Sequence, residues 1–282
     1  MTNDGRGEII PCGCKTNPLG GLAKRGTVIR NVRANEQNVL LLEAGNFSKG
    51  EANDSVSNRE TDLILSAMEA MGYDAICPGE KEIQLGENWW FQKQRSFSLP
   101  WVCANLMKDS RPFIDRPYII KLLPNRLRVA VLGLIDPDLL SQITEIPRLS
   151  VKPIDETVKK YSSLLAKKAD LIVLLASLTP QGHDNLHHLV NFVPLLAYGG
   201  SVMEHIPHGV LTDRLILMNT KGFGKYLGRA DLEFDKRGAI ISVTGQSIPL
   251  SVKLTDDLPI AEIFRQHQIP IERLVPIYNA NN

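Results

Sequence analysis

Apolar residues follow two patterns along this chain, and each pattern predicts one kind of secondary structure. Short continuous apolar runs predict strands that are buried within a sheet. Such runs lie at residues 38–45, 73–77, 101–105, 170–176, 192–197 and 214–219. Apolar residues spaced three or four positions apart predict helices with one apolar face. Segments of this kind lie at residues 21–33, 59–71, 155–168 and 260–268.

Two further pairs of apolar runs are separated only by short turn segments, which predicts antiparallel hairpins. The pairs are 118–123 with 127–134 and 229–235 with 239–244, joined at 124–126 and 236–238. Alternating strands and helices combined with hairpins predict an α/β fold, in which two mixed sheets pack together with helices outside. We expect one domain over residues 1–250, followed by a tail at 251–282 that contains the short helix.

The composition is that of a globular protein, and it argues against several other classes of protein. Hydrophobic residues make up 43% and charged residues 22% of the 282 residues, so a sizeable core is expected. The net charge of +1 gives no global field that would recruit nucleic acid. No apolar run is long enough to span a bilayer, and the polar start at Met1–Asp4 is unlike a signal peptide. Four cysteines in a chain of this length do not make a disulfide scaffold.

Five segments, taken together and in order, resemble the bacterial 5'-nucleotidases, the UshA-like branch of the calcineurin-like metallophosphoesterase superfamily. They are Gly20-Gly-Leu-Ala-Lys-Arg, Leu40-Leu-Leu-Glu-Ala-Gly-Asn, Met71-Gly-Tyr-Asp-Ala-Ile, Cys103-Ala-Asn and Gly224-Lys-Tyr-Leu-Gly-Arg-Ala-Asp-Leu-Glu-Phe-Asp. The resemblance implies a four-layer α/β/β/α sandwich with a dimetal site at the strand ends. It also implies a periplasmic or other extracytoplasmic location.

The resemblance implies two differences in extent between this chain and the family. Thr2-Asn3-Asp4 resembles the end of the family's first strand, so we expect that this strand is truncated and that the natural chain begins earlier with an export signal. The family's C-terminal nucleotide-binding domain has no room in 282 residues. Nucleotide specificity is therefore not implied.

The family's metal ligands match this sequence at few positions. Asp4 matches the first aspartate of the family, and Glu80 stands where the family has an asparagine ligand. The other positions carry Arg6 and Lys81 for histidines, Asn46 for the bridging aspartate, and residues near Ser177 and Gly199-Gly200-Ser201 for later histidines. Arginine cannot bind a metal, and a neutral amide is a weak bridging ligand. The resemblance therefore implies a frame from which most metal ligands have been lost.

Three interpretations of this altered site remain open. In the first, the cations Arg6, Lys15 and Lys81, together with Asn46 and Asn105, hold a small oxyanion. In the second, Arg6 and Lys81 pair with Asp4 and Glu80 in a filled pocket. In the third interpretation a metal site is rebuilt elsewhere, which would make the chain an active phosphoester or sulfur-ester hydrolase. Two histidine pairs have suitable spacing, His183 with His187 and His205 with His208. His187-His188 is more simply a helix surface, and Pro207 places the second pair in a loop.

The segment Pro11-Cys12-Gly13-Cys14-Lys15 is the most distinctive local feature. It resembles the Pro-Cys-Gly-Cys segment of divergent UshA-like (seleno)proteins, which implies redox or metal–thiolate chemistry. For Cys12 and Cys14 we favour a redox dithiol, with Lys15 promoting the thiolate. Two alternatives remain open: all four cysteines bind zinc or another soft metal, or Cys12–Cys14 is an inert loop. For Cys77 and Cys103 we favour the simpler interpretation that they are small buried apolar residues.

The sequence thus predicts a 5'-nucleotidase-like protein without standard dimetal chemistry, acting through thiol redox or anion binding. The predicted catalytic residues are Cys12, Cys14 and Lys81; the anion-binding residues are Arg6, Lys15, Asn46 and Asn105; the metal ligands are Asp4 and Glu80. The predicted cofactor, if one is used, is a divalent or thiolate-bound metal ion. The predicted partner is a small anionic molecule or a redox partner, and not nucleic acid.

Overall fold

A computed structural model of the protein describes residues 1–141, 143, 146–179, 181–182, 195–199, 210–212, 215–220 and 222–269. In these ranges the helices are α1 (Leu22–Asn35), α2 (Ser55–Met71), α3 (Glu80–Gln84), α4 (Glu87–Ser96), α5 (Ile154–Leu165) and α6 (Leu258–Gln266). The strands are β1 (Leu42–Glu43), β2 (Ala75–Ile76), β3 (Leu106–Lys108), β4 (Arg111–Pro112), β5 (Tyr118–Leu122), β6 (Arg128–Ile135), β7 (Leu149–Val151), β8 (Leu171–Ser177), β9 (Leu195–Gly199), β10 (Val210–Thr212), β11 (Leu215–Met218), β12 (Tyr226–Phe234) and β13 (Ile240–Pro249).

Helix α2 illustrates how local sequence sets the bounds of an element. The Asp54 side chain accepts hydrogen bonds from the backbone N–H groups of Val56 and Ser57 at the start of the helix. A carboxylate at this position satisfies donors that have no partner within the helix. Gly72 ends the helix with φ 67°, a left-handed conformation that glycine adopts without a steric cost.

The larger sheet has six strands in the order β10-β11-β9-β8-β6-β5. The four central strands, β6, β8, β9 and β11, run parallel to one another. Both edge strands, β5 and β10, pair antiparallel. The β5–β6 pair is the hairpin predicted at 118–134, and that prediction is confirmed. A small antiparallel sheet of β4, β3 and β7 lies apart from it.

The second sheet is assembled from short segments around the N-terminus. Strands β1 and β2 are parallel, and single bridges extend them in the same direction, from Thr2 to Glu43 and from Ile76 to Trp101. The first residue of the chain exchanges hydrogen bonds with Gly228 of β12. Strand β12 pairs antiparallel with β13, so the second predicted hairpin is also confirmed.

Three hydrophobic clusters show how the layers are stacked. Between the two sheets lie apolar side chains from both, namely Leu42, Ala44, Ala75, Cys77, Val102, Val129, Val131, Leu171, Val173, Leu175 and Ala197. Helix α5 covers the far side of the six-stranded sheet through Val158 and Leu165. Helices α1, α2 and α6 contact one another over the second sheet. The arrangement is the predicted α/β/β/α sandwich.

Helix α6 is the short helix predicted in the C-terminal tail. Its Phe264 side chain is fully buried in the same core as α1 and α2, and Lys24 of α1 donates a hydrogen bond to the Leu254 carbonyl. The tail is therefore packed against the main core up to residue 269, while the division of the chain at residue 250 stays a prediction. Among the described residues, none of the helices is both long and apolar enough to cross a membrane.

Candidate functional site

Polar side chains collect where the strands of the two sheets end. A Cβ atom added to Gly199, at the end of β9, would lie 2.6 Å from the Cβ of Asn3, so the two sheets come very close at this point. The Asn3 side chain accepts hydrogen bonds from the Thr220 N–H and hydroxyl at 2.9 and 2.8 Å, and it donates to Asn219 at 3.1 Å. All these side chains are buried.

Asp4 and Asn46, the matches of two family ligands, meet at these strand ends. The Asn46 Nδ2 donates to Asp4 Oδ1 at 3.1 Å, and its Oδ1 accepts from the Lys81 N–H at 3.1 Å. The amide orientation is assigned from these bonds. Both residues have left-handed backbones, with φ 48° and 58°, a conformation that asparagine and aspartate tolerate better than most residues. The pair is buried, with Asn46 fully excluded from solvent.

Glu82 holds the loop that carries Asn46. Its buried carboxylate accepts hydrogen bonds from the backbone N–H groups of Asn46, Ser48 and Gly79, at 2.8 to 2.9 Å, and from the Ser48 hydroxyl at 2.8 Å. Burial raises the pKa of Glu82, although these hydrogen bonds oppose the rise. The side chain therefore positions the loop, and its oxygens are already engaged.

Arg6 does not point at Asp4. Its guanidinium lies over the ring of Phe223, with Cζ 5.2 Å from the ring centroid. The Phe223 N–H donates to the Asp4 carbonyl at 2.7 Å, which fixes the loop across the N-terminal segment. Lys225 approaches the same ring, with Nζ 5.7 Å from the centroid. The filled-pocket interpretation, in which Arg6 pairs with Asp4 or Glu80, is therefore not the arrangement observed.

Glu80 and Lys81 lie together at the start of α3, partly exposed. The Lys81 Nζ is 4.0 Å from Glu80 Oε1 and donates to the Gln84 side chain at 3.3 Å. This part of the filled-pocket interpretation matches the observed contacts. The Lys81 side chain thus interacts with its own helix, and its backbone N–H is the group that contacts Asn46.

Asn105 is buried and uses its amide for the backbone. Its Nδ2 donates to the carbonyls of Ile135 and Lys152 at 2.8 and 3.1 Å, and its Oδ1 accepts from the Ile135 N–H at 3.0 Å. These bonds join the end of β6 to the loop that follows β7. These contacts give the Asn105 side chain a structural role. The role of Asn105 in anion binding stays a prediction.

Cys12 and Cys14 lie in a surface loop whose base is fixed. Pro11 and Gly20 form an antiparallel bridge, and the Cys12 N–H donates to the Leu19 carbonyl at 2.8 Å. The two sulfur atoms are 2.8 Å apart. The Leu19 N–H donates to Cys12 Sγ at 3.4 Å, while Cys14 is exposed.

The surroundings make the two thiols unequal. Partial burial opposes ionisation of Cys12, but hydrogen bonds with Cys14 and from the Leu19 N–H, together with the charge of Lys225, outweigh it and lower the pKa of the Cys12 thiol. The same hydrogen bond with Cys12 raises the pKa of the Cys14 thiol. Cys12 is therefore the favoured thiolate. The cation acting on it is Lys225, while Lys15 is exposed in the same loop.

Cys77 and Cys103 form a separate, buried pair. Their thiols contact each other, and Cys77 donates to the Leu134 carbonyl at 3.2 Å. Burial raises the pKa of the Cys77 thiol well above its ordinary value. In the described ranges, no three or more His, Cys, Asp or Glu side chains form a group that could hold a metal ion. The four cysteines thus form one pair in a surface loop and one buried pair, and the described residues are not gathered as the zinc-site alternative requires.

A second buried network surrounds Glu43 at the end of β1. Thr2 Oγ1 donates to Glu43 Oε2 at 2.5 Å and is 2.7 Å from the Tyr73 hydroxyl. Burial raises the pKa of Glu43 to about 7, although the charge of Arg25 and the Thr2 hydrogen bond oppose the rise. The carboxyl group is therefore close to half-ionised near neutral pH.

Sequence reasoning did not identify several residues that the structure brings to this region. They are Asn3, Glu43, Glu82, Asn219, Thr220, Phe223 and Lys225. For Asn219 and Thr220 a signal exists, because Asn219 ends a predicted buried strand and Thr220 directly follows it. Phe223 and Lys225 contact residues some two hundred positions earlier, so no local pattern marks them. The four predicted metal-site histidines, together with Gly200 and Ser201, lie outside the described residues.

Comparison with known proteins supports the resemblance. No protein-family model matches the chain. A 5'-nucleotidase of Vibrio cholerae is 27% identical over 273 residues, which cover 83% of this chain and 48% of that protein. The chain spans about half of the length of such relatives, and 19% of the trifunctional nucleotide phosphoesterase YfkN of Bacillus subtilis.

Solved structures share the fold. A 5'-nucleotidase precursor from Thermus thermophilus superposes with a TM-score of 0.79 at 21% identity, covering 96% of this chain and 58% of that one. The calcineurin-like phosphoesterase YfkN of Bacillus subtilis superposes with a TM-score of 0.76 at 21% identity, covering 97% and 96% of the two chains. The predicted metallophosphoesterase fold is confirmed.

Proposed function

We propose that this chain, a homologue of the 5'-nucleotidases with their metallophosphoesterase fold, carries out thiol–disulfide exchange at Cys12 and Cys14. The observation that carries the proposal is the 2.8 Å contact between the two sulfur atoms in a surface loop. The S–S bond of a disulfide is about 2.05 Å long, so the thiols need to approach by less than about 1 Å to form one. Hydrogen bonds and a nearby cation also favour the thiolate of Cys12, as in reactive cysteines.

The contacts at the strand ends support a function without the standard dimetal centre. A bridging ligand needs an anionic oxygen between two cations. Asn46 instead directs its neutral amide nitrogen at Asp4 and engages its oxygen with the Lys81 N–H. Arg6, at the position of a family histidine, is a permanent cation and lies over Phe223. These contacts support a function that does not depend on the standard dimetal group.

The two thiols differ in pKa and in exposure, and this difference indicates the order of the exchange steps. The Cys12 thiolate attacks one sulfur of a small disulfide, which forms a mixed disulfide and releases one thiolate from that partner. Cys14 loses its proton to solvent and attacks the sulfur of Cys12, which releases the second thiolate and leaves a Cys12–Cys14 disulfide. The protein dithiol is oxidised and the partner disulfide is reduced by the same two electrons. The reverse sequence oxidises a dithiol partner.

The loop geometry favours repeated exchange without unfolding. The antiparallel bridge between Pro11 and Gly20 closes the loop, and Gly20 donates to the Leu250 carbonyl at 2.8 Å. Only the tip, with Cys14, faces solvent. A Cβ added to Gly13 would have no atom within 4 Å, so there is space around the tip for a mixed disulfide.

The test is oxidation of the reduced protein with a neutral disulfide, hydroxyethyl disulfide, followed by thiol titration and peptide mass analysis. We expect Cys12 and Cys14 to form one internal disulfide that a dithiol reductant reopens. Cys12→Ser and Cys14→Ser should each prevent it, while Cys77→Ser provides the matched control, because that thiol is buried. If Cys12 and Cys14 stay reduced and react with thiol reagents at an ordinary rate, the proposal is wrong.

A second candidate is metal-dependent hydrolysis of phosphoesters or sulfur esters. The observation that favours it is the position of Asp4, buried at the strand end within 3.1 Å of Asn46, in a chain whose curated relatives are phosphoesterases. The test combines metal analysis of the purified protein with a p-nitrophenyl phosphate assay. Bound metal together with turnover that survives Cys12→Ser but not Asp4→Ala would support this candidate. A metal-free protein without turnover would remove it.

We also propose that the protein acts outside the cytoplasm on a small anionic or redox partner. The support for this location is the resemblance to the bacterial 5'-nucleotidases. Disulfides form and persist in the periplasm and other oxidising compartments, which is where a surface dithiol exchanges with other disulfides. Fractionation of cells that express the natural gene tests the location, and recovery only with cytoplasmic markers would contradict it.

A further inference from the structure

A cationic aromatic surface lies beside the Cys12–Cys14 loop. The Phe223 ring is 50% exposed, and it is flanked by the Arg6 guanidinium at 5.2 Å and the Lys225 ammonium at 5.7 Å from its centroid. We call Arg6, Phe223 and Lys225 the cationic rim. Cation–π contacts of this kind are favourable, and they hold two positive charges beside one exposed aromatic face.

The backbone places the cationic rim next to the thiols. Leu250 donates its N–H to the Lys225 carbonyl at 3.0 Å, and its own carbonyl accepts from the Gly20 N–H at 2.8 Å. Gly20 in turn pairs with Pro11, directly before Cys12. The charge of Lys225 accordingly reaches both Cys12 and Cys14. Lys225, and the rim with it, therefore lies close to the Cys12–Cys14 loop.

The charges of the rim are available for a ligand. Neither Arg6 nor Lys225 forms an ion pair within the part of the chain that the structure describes. Arginine binds carboxylates and phosphates through paired donors, while lysine acts as a point charge. An anion in contact with the rim would thus meet two cations and one aromatic face.

We propose that the cationic rim binds the anionic group of the exchange partner, so that the partner is a small disulfide or thiol carrying carboxylates. This inference rests on the proposed function, because it names the substrate class of the same dithiol. A carboxylate held between Arg6 and Lys225 places the attached sulfur beside Cys12 rather than in bulk solvent. Arg6 and Lys225 act as positioning residues, and Cys12 and Cys14 perform the exchange.

The first test separates charge recognition from thiol reactivity. The reduced protein is alkylated with iodoacetate, which is anionic, and with iodoacetamide, which is neutral, and Cys12 is followed by peptide mass analysis. Both reagents need the thiolate, so the ratio of their rates cancels the thiolate fraction. We expect the ratio to fall about tenfold in the Arg6→Gln, Lys225→Gln double variant, which is within the range of electrostatic effects on association rates. Lys236→Gln in the exposed β12–β13 turn is the matched control and should leave the ratio unchanged.

The second test uses disulfides of different charge. Oxidised glutathione, which is anionic, and hydroxyethyl disulfide, which is neutral, are compared as oxidants of the dithiol at low and high salt. We expect the preference for glutathione to fall in the double variant and at high salt, since salt screens exposed charges. Normal disulfide formation with a ratio independent of the rim would overturn this inference alone. A rim-dependent alkylation ratio without disulfide formation by either oxidant would instead overturn the proposed function, and the assignment of a disulfide partner with it.

Discussion

The buried carboxyl group of Glu43 makes a quantitative prediction about stability. The side chain is 1% exposed, and its hydrogen-bond partner is the Thr2 hydroxyl. Replacing Glu43 with Gln keeps the shape and an acceptor for Thr2 but removes the proton equilibrium. The variant therefore imitates the protonated form of the wild-type side chain at every pH.

The magnitude follows from the pKa of Glu43. This pKa is about 7 in the folded protein against an ordinary value of 4.5, and each pKa unit corresponds to about 1.4 kcal/mol. Folding thus favours the protonated carboxyl by about 3 kcal/mol. Because the folded pKa is raised, this stability is fully present below pH 4.5 and is lost as the pH rises to about 7. Relative to wild type, Glu43→Gln should gain about 3 kcal/mol between these limits.

The measurement is urea unfolding followed by tryptophan fluorescence, at closely spaced pH values from 4 to 8.5. The difference in unfolding free energy between variant and wild type reports on Glu43 and on its charge interaction with the Met1 α-amino group, because groups that do not interact with Glu43 cancel. Glu233→Gln, an exposed charge removal on β12, should give a difference of less than about 0.5 kcal/mol. A flat difference curve for Glu43→Gln, or one that falls with rising pH, would refute the reasoning.

Three further predictions concern buried hydrogen bonds and packing, and they are checked by the same unfolding assay. Glu82→Ala should cost about 3 kcal/mol, because it leaves buried N–H groups without their acceptor, and Glu82→Gln should cost less. Trp90→Ala should cost about 3–5 kcal/mol, since the ring is fully buried, whereas the neighbouring Phe91→Ala should cost much less. Gly79→Ala would place a Cβ 2.1 Å from Asn46 Oδ1 and should cost about 1–3 kcal/mol, while Gly13→Ala should be neutral. If the two variants in any of these pairs lowered the unfolding free energy equally, the role assigned to the buried residue of that pair would be contradicted.

Most of the frame follows from local patterns in the sequence. Helix α2 was predicted at 59–71 and is observed from Ser55, one turn earlier, because Asp54 caps it there. The runs at 38–45 and 73–77 were predicted as strands, and only Leu42–Glu43 and Ala75–Ile76 pair as such. Their flanking residues leave the sheet to form the loops that carry the site, so the strand pattern overestimates their length.

Other elements escaped prediction for physical reasons. Helix α4 (Glu87–Ser96) buries Trp89, Trp90 and Lys93 on one face, but its mean composition is polar, and ten residues give a weak periodic signal. Cys77 and Cys103 behave as expected from the sequence, since both are buried in apolar surroundings. The contact of Arg6 with Phe223 joins residues at opposite ends of the chain. Only the closed sandwich brings them together.

The proposed function requires that the loops at the strand ends stay in place without metal ions. The hydrogen bonds at the strand ends provide this support. In a dimetal protein, metal ions join loops from several strands through shared ligands. In this chain, hydrogen bonds of neutral side chains also connect such segments: Asn3 joins the N-terminal segment to Thr220, and Asn46 joins it to α3. Such bonds satisfy buried polar groups without an ion, so the loops stay fixed while Arg6 turns outward to Phe223. On the proposed function, Arg6 then acts at the cationic rim as a positioning residue for the exchange at Cys12.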